Sequence, residues 1–199
     1  MSILEKIKRN PYINYHDYYR FRNTYDGEIT STKPPRGKYS LHIIKSSHEL
    51  EELKHQSYDF CESPVIKKSK KNIDGNQTLF LYFVDKKLVH ANCITENVSL
   101  YDPNLKGYKA RNAIFFGPAY TAKQYRGKGF YIYDLVEGCK YYQNKGYKYA
   151  YGSTKITNIV PIFGLISAGF KMIGKVRCYK ICYRIIEFTI CTSLEDYKN

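Results

Sequence analysis

The hydrophobic and polar positions of this 199-residue chain change period several times along its length. Short runs rich in apolar, β-branched and aromatic residues, bounded by turn-forming residues, predict β-strands. These runs are residues 39–44, 78–84, 88–94, 112–121, 147–153, 170–183 and 184–191. The second and third runs are separated by a turn of polar residues only, which predicts a β-hairpin.

Apolar positions recur at helical spacing in three further segments. The clearest is 129–144, where Gly146 lies just beyond the last apolar position and can end the helix. A helix over about 47–56 can be capped by the serines at its start, and a shorter helix spans 158–167. The resulting order is β, α, β-β, β, α, β, α, β-β. This order is typical of a mixed α/β or α+β domain.

Two segments carry chain-breaking residues instead of a period. Residues 1–38 are polar, aromatic and basic and end in a Pro-Pro-Arg-Gly sequence, so we predict an N-terminal extension before a single domain at 39–199. Residues 58–77 contain Pro64 and a cluster of lysines at 67–71. We predict a mobile connection there, outside the core.

The chain is strongly basic. Lys and Arg number 32 against 18 Asp and Glu, which gives a formal net charge of +14 and a pI near 9.4. This balance predicts attraction to an anion, and it does not distinguish coenzyme A, a nucleotide-sugar, nucleic acid or an anionic membrane. The 22 tyrosines and many lysines also match the residue usage of an AT-rich, bacterial genome, which accounts for part of the charge.

Cysteine spacing and hydropathy indicate in which compartment of the cell the protein is expected. The six cysteines form no C-x-x-C pair, so neither a disulfide framework nor a zinc site is expected, and we predict no metal. The N-terminus lacks the apolar run of a signal peptide, and no window approaches the ~20 apolar residues that span a bilayer. These features predict a cytoplasmic protein without a membrane span.

A glycine-rich turn joins the strand at 112–121 to the long helix. Its sequence is Arg126-Gly127-Lys128-Gly129. The first N–H groups of a helix lack partners inside the helix and point outward at the positive end of its dipole, so they bind phosphate. The glycines allow close backbone approach and the two basic side chains add charge. Taken alone, such a turn is more often an ordinary exposed connection than a phosphate site.

A second motif favours a phosphate site over an ordinary connection at this turn. Downstream of one more strand, Asn158 opens the short helix, which ends in Gly169-Phe170. Combined with the glycine-rich turn, this arrangement resembles the GNAT superfamily of N-acetyltransferases over roughly residues 78–180. In that family the turn binds the pyrophosphate of acyl-CoA, and the Asn bonds or shapes the channel of the pantetheine arm. Asn158 could also be an ordinary helix cap.

The resemblance implies both a fold and a donor. The expected fold is a GNAT-like α/β (α+β) domain, with a mixed, mostly antiparallel central sheet flanked by helices on both faces. The expected co-substrate is acetyl-CoA or another acyl-CoA. The residues expected to bind it are Tyr120, Thr121, Arg126, Gly127, Lys128, Gly129, Tyr131 and Asn158.

The chain departs from the family pattern at two positions. The turn of family members usually ends in Gly or Ala, whereas this chain has Tyr131, which would crowd the phosphates or stack near the cofactor. Many members also carry a Tyr seven residues after the Asn as general acid, and this chain has Leu165 there. The resemblance therefore leaves the proton donor unassigned.

Catalytic candidates follow from the predicted positions. Gly117-Pro118 suggests a splayed strand, which by resemblance offers a backbone N–H to the thioester oxygen. His90 has an unperturbed pKa suited to proton transfer and lies on a strand expected to face the cleft, and Glu96 could act through a water. Tyr120 or Tyr133 could replace the missing acid.

The acceptor and the rival functions remain open. The hairpin and the turn look like those of GNAT members found with bacterial surface-polysaccharide genes, which implies a small-molecule amine such as an amino-sugar or nucleotide-sugar. The sequence leaves open whether the chain is a monomer or a homodimer. The alternatives are a basic module that binds nucleic acid or an anionic surface, and a GNAT fold without turnover. Nucleic acid is not expected, because no recognition motif is present.

Overall fold

The computed structural model describes residues 13–25, 32–61, 63–69, 73–96, 112–181 and 184–188, and of 13–16, 176–181 and 184–188 it describes the backbone alone. The strands are β1 Ile13–Thr24, β2 Ser40–Ile44, β3 Gln77–Val84, β4 Lys87–Glu96, β5 Ala113–Thr121, β6 Tyr149–Lys155, β7 Lys171–Ile181 and β8 Arg184–Phe188. The helices are α1 Ser47–His55, α2 Pro64–Ser69, α3 Phe130–Gln143 and α4 Ile159–Ser167, with a 3₁₀ turn at Lys123–Tyr125.

One sheet contains all eight strands. Their order across the sheet is β2-β3-β4-β5-β6-β1-β7-β8. Neighbouring strands pair antiparallel except for β5 and β6, which pair parallel. The predicted mixed, mostly antiparallel sheet is confirmed.

Helices cover both faces of this sheet. Alternate residues of β3 point to opposite faces, as the period of a strand requires. Phe80 and Tyr82 join the core that contains α3 and α4, whereas Leu79 and Leu81 join the core that contains α1 and α2. The predicted helices on both faces are therefore confirmed. Among the described residues, no helix is both long and apolar enough to cross a membrane.

The N-terminal segment contributes a strand that the sequence did not predict. Ile13–Thr24 lies between β6 and β7 and pairs antiparallel with both. Phe21 is fully buried in the main core. The predicted extension at 1–38 is corrected for this stretch, which belongs to the same sheet as β2 to β8. The sequence did not predict this strand because its residues are mainly Tyr, Arg, His and Asn, without the alternating aliphatic residues that mark a half-buried strand.

The predicted mobile connection at 58–77 contains the helix α2. Pro64 occupies its first position, where a missing N–H costs nothing. Val65 and Ile66 are buried against the α1 face of the sheet, and Lys67 and Lys68 are exposed. Six residues are too few to show a helical period, which explains the incorrect prediction.

Other local predictions agree closely with the structure. Ser46 caps α1, its hydroxyl accepting from the N–H of Glu49 at 3.2 Å. The β3–β4 hairpin turns at Asp85 and Lys86, which both have positive φ, as a type I′ turn requires.

Candidate functional site

The site begins where β5 and β6 separate. Their parallel pairing runs from Ala113 opposite Tyr149 to Phe116 opposite Gly152 and stops there. On its other side β5 carries a bulge at Gly117-Pro118, where two residues oppose Cys93 of β4. A Cβ on Gly117 would lie 2.8 Å from the Cys93 carbonyl oxygen, so only glycine fits this bulge. The predicted splay is present.

A cleft of about 520 Å³ opens between the separated strands. Residues 117–121 of β5 form one wall, and Ser153 and Thr154 of β6 form another. Arg126, Tyr131, Asn158 and the first turn of α4 complete the lining. Five of the predicted binding residues, Tyr120, Thr121, Arg126, Tyr131 and Asn158, therefore line one cleft.

Backbone N–H groups of β5 face this cleft. The N–H of Ala122 donates to the Val89 carbonyl of β4 at 2.9 Å. Successive peptide groups of an extended strand point to opposite edges, so the N–H groups of Thr121 and Ala119 point away from β4. That edge has no β6 partner, because the pairing ended at Phe116. The edge is therefore a row of donors and acceptors lining the cleft.

The glycine-rich turn opens helix α3 beside the cleft. Gly127 and Gly129 have φ of 74° and 87°, a region that favours glycine. No side chain caps the helix, whose first internal bond runs from the Tyr133 N–H to the Gly129 carbonyl at 3.0 Å. The N–H groups before Tyr133 thus lack partners within the helix. This end of α3 therefore presents backbone N–H groups without helical partners, and phosphate binding by the turn stays a prediction.

The two basic residues of the turn are exposed. The Arg126 Nε donates to the Thr121 carbonyl at 3.2 Å, which holds the guanidinium at the cleft wall. Lys128 lies outside the cleft lining, with its Nζ 4.5 Å from the centre of the Tyr125 ring. Both charges are thus near the α3 N-terminus, and Arg126 is the closer to the cleft.

Tyr131 does not extend over the α3 N-terminus. Its ring packs against α4, where a Cβ added to Gly164 would lie 2.5 Å from two ring carbons. Burial, and then the nearby Asp134 carboxylate, raise the pKa of the Tyr131 phenol, which therefore keeps its proton. Tyr131 lies in the wall of the cleft, and its ring fits against α4 because Gly164 has no side chain there.

Helix α4 has the end structure that the sequence predicted. Asn158 is its N-cap residue, is exposed, and makes no side-chain cap hydrogen bond, which favours the cleft role over the ordinary cap. Gly169 has φ of 83° just after the helix, and Phe170 packs against Phe116 with ring centroids 5.8 Å apart. Leu165 is buried against Gly152, so its position is a core position.

His90 is fully buried and does not line the cleft. The prediction that it faces the cleft is wrong, because β4 directs this side chain toward α3. Its Nδ1 lies 2.8 Å from the Thr121 Oγ1, and its Nε2 lies 3.5 Å from the Asp134 Oδ2. Asn92 donates to the same Asp134 oxygen at 2.5 Å. His90 therefore reaches the cleft through the Thr121 hydroxyl.

Glu96 is remote from the cleft. It ends β4 six residues after His90, which corresponds to about 20 Å along a strand. Its carboxylate accepts from the hydroxyls of Tyr147 at 2.6 Å and Tyr142 at 3.0 Å. The prediction that Glu96 acts at the cleft is corrected, and these contacts give it a structural role.

The sequence missed three polar residues of this region. Asp134 is fully buried in the second turn of α3. A carboxylate on the apolar face of a predicted amphipathic helix could have identified it in the sequence. Ser153 and Thr154 carry no motif and reach the cleft because β6 diverges there.

The candidate acid Tyr133 packs on Tyr39 and Tyr82 and does not line the cleft. Among the described residues, no group of side chains could hold a metal ion.

Comparison with known proteins supports the fold. No protein-family model matches this sequence, and no curated protein is significantly similar to it. The chain is similar in structure to a GCN5-related N-acetyltransferase from Sphaerobacter thermophilus, with 13% identity and a TM-score of 0.58 over 96% of this chain. A GNAT acetyltransferase from Colwellia psychrerythraea gives 16% identity and 0.55 over 89%.

These likenesses define the class of the fold. The chain has the GNAT fold, and the splayed strands, the glycine-rich turn and the cleft occupy one end of its sheet. The chain spans 57% of the length of each of these two solved structures.

Proposed function

We propose that this chain is an acyl-CoA-dependent N-acyltransferase. Acetyl-CoA is the expected donor, a primary amine of a small molecule is the acceptor, and the amine attacks the thioester directly in a ternary complex. The observation that carries the proposal is the uncapped N-terminus of α3, with two positive-φ glycines, next to a cleft with an unpaired strand edge. The α3 N-terminus would bind a pyrophosphate, and the unpaired strand edge would bind an extended arm that contains amides.

The donor site follows from these two parts. The N–H groups of the α3 N-terminus and the charge of Arg126 would hold the pyrophosphate. The Thr121 and Ala119 edge would pair with the amides of the pantetheine arm, and Asn158 would bond its far side. One N–H of the same edge would stabilise the oxyanion that forms on the thioester carbonyl. Alignment of this kind supplies much of the catalysis.

A relay from Thr121 through His90 to Asp134 would remove the proton of the attacking amine. Asp134 beside Nε2 favours the tautomer that carries its hydrogen there, which leaves Nδ1 as acceptor for the Thr121 hydroxyl. Thr121 can then take a proton from the amine while it passes its own to His90. The order of hydroxyl, imidazole and carboxylate is the one that enzymes with an activated hydroxyl use, although Nε2 and the Asp134 Oδ2, 3.5 Å apart, form no hydrogen bond here.

Tyr131 would supply the proton to the leaving thiolate. Of the tyrosines considered, Tyr120 and Tyr131 line the cleft, and Tyr131 packs on Gly164, next to the position at which family members carry their acid. Burial, and then the Asp134 carboxylate, raise the pKa of this phenol, so it is protonated at neutral pH but is a weaker acid than a free tyrosine. Tyr120 packs toward the α1 face of the sheet.

Calorimetric titration of the purified chain with acetyl-CoA, and separately with CoA, tests the donor site. We expect micromolar binding that weakens at least roughly tenfold in an Arg126→Glu, Lys128→Glu variant. A Lys68→Glu, Lys148→Glu variant has the same change in net charge at exposed positions outside the cleft, and it should bind as the parent does. Equal weakening in both variants would favour the anion-binding module, and no binding at low salt would contradict the acyltransferase proposal.

Turnover needs a separate assay, since a GNAT fold without activity would also bind CoA. Chromatographic measurement of CoA release over a panel of amines, including amino-sugars and nucleotide-linked amino-sugars, identifies the acceptor class. The amino-sugar acceptor is supported by the sequence resemblance. With the best acceptor, Tyr131→Phe should lower kcat about 10²-fold or more. An unchanged kcat would remove Tyr131 from the mechanism.

A further inference from the structure

Helix α4 exposes an unusual amount of apolar surface. Ile159 is 60% exposed, Val160 76%, Phe163 65% and Ile166 50%. Met172, at the start of the strand that follows, is 40% exposed. These five residues are termed the α4 patch. They are the large hydrophobic residues that the described part of the chain leaves exposed, so the apolar surface is concentrated in one region.

The patch is one face of the helix. Ile159, Phe163 and Ile166 are spaced i, i+4 and i+7, which places them in a single stripe. The opposite side of the helix holds the buried Gly164 and Leu165, which pack against α3 and the sheet. The helix is thus apolar on both sides. A helix of this kind is normally covered on both sides as well.

Charge identifies the chemistry of the partner. From residue 138 to residue 186 the sequence contains no Asp or Glu. Lys155 precedes the helix and Lys171 follows it, and both are exposed. Of the nine basic residues in this stretch, Lys140 pairs with Glu137 and Lys175 with Asp17, so Lys155 and Lys171 are the exposed charges that flank the helix. A partner must therefore be apolar where it meets the helix and anionic around it.

A second copy of the chain fits these requirements poorly. Two copies packed through their patches would bring like charges together, on molecules that each carry +14. A stable dimer also buries about 800 Å² on each partner, whereas this face is one stripe of a nine-residue helix. The charge pattern favours an anionic surface over a copy of the same chain.

We propose that the α4 patch docks on an anionic lipid surface. The apolar side chains enter the boundary between headgroups and acyl chains, and the flanking lysines meet the lipid phosphates. The proposal is independent of acyl transfer. Because Val160 also lines the cleft, docking would bring the mouth of the cleft to the membrane surface.

A tryptophan reporter tests insertion directly, because the chain contains no Trp. In a Phe163→Trp variant, phosphatidylcholine vesicles with about 30 mol% phosphatidylglycerol should shift the emission to the blue, and pure phosphatidylcholine should not. His55→Trp is the matched control, at an exposed position on the helix that covers the other face of the sheet, and its emission should not shift. Equal shifts at both positions, or no shift at Phe163→Trp, overturn the proposal.

Vesicle flotation of the otherwise unchanged chain provides the second measurement. Phe163→Asp with Ile166→Asp should reduce the fraction bound to anionic vesicles at least roughly tenfold. His55→Asp with Gln56→Asp introduces the same two carboxylates on the other face of the sheet and should bind as the parent does. Circular dichroism and the thermal midpoint report folding of each variant. A dimer seen by light scattering that only the Phe163 and Ile166 variant abolishes would overturn the proposal in favour of self-association.

Discussion

The Thr121 hydroxyl connects the cleft to a buried carboxylate through one imidazole. The contacts of 2.8 Å to His90 and 3.5 Å from His90 to Asp134 involve a histidine and an aspartate that are fully buried. Since Thr121 is the member of this chain of contacts that lines the cleft, we expect its hydroxyl to be required for proton removal. The proposed contact with the donor, by contrast, uses the backbone N–H of Thr121 and does not depend on its side chain.

Thr121→Val should therefore separate catalysis from binding. We expect kcat to fall about 10²–10⁴-fold while the affinity for acetyl-CoA changes little, because valine keeps the shape and the backbone N–H. Thr121→Ser retains the hydroxyl and should recover most of the activity. Steady-state kinetics and calorimetry on the same preparations check both values. A valine variant with the parent kcat would exclude the relay.

Among the elements, α3 and α4 are coupled through the contact of Tyr131 with Gly164. A Cβ at Gly164 would lie 2.5 Å from the Tyr131 ring, so Gly164→Ala should destabilise the fold by about 1–3 kcal/mol through overpacking. In a Tyr131→Ala background the same substitution should cost far less, because the ring is gone. Urea unfolding of the two single variants and the double variant measures this coupling. Strictly additive free energies would show that the two residues do not share this contact.

Elements with local signals could be predicted from the sequence. The helix α3, the β3–β4 hairpin and the glycine-rich turn each carry their own period, cap or turn residues. The strand β1 and the helix α2 could not, because their place in the structure depends on distant partners. The direction of His90 was missed for a related reason, since a strand period separates two faces without saying which face borders the cleft. The distance of Glu96 from His90 could have been predicted from strand geometry alone.

At the scale of the whole molecule, the fold buries several tyrosine hydroxyls. Burial raises the pKa of Tyr82 and Tyr142, which are fully inaccessible to solvent, and also that of Tyr25. The unfolded chain loses these phenolic protons at about pH 10, whereas the folded chain keeps them. Above that pH the unfolded state binds fewer protons, so the free energy of unfolding falls as pH rises.

The chain should therefore unfold in alkali with a steep pH dependence. Each fully buried tyrosine contributes a slope of up to about 1.4 kcal/mol per pH unit above about pH 10, and stability below that pH should be unaffected by them. Urea titrations at several values between about pH 8 and pH 11 measure the slope. Tyr142→Phe removes one buried phenol and should reduce it, whereas substitution of the exposed Lys148 should not. Complete tyrosine ionisation of the folded chain near pH 10, followed by absorbance at about 295 nm, would contradict this account, because buried phenols ionise only when the chain unfolds.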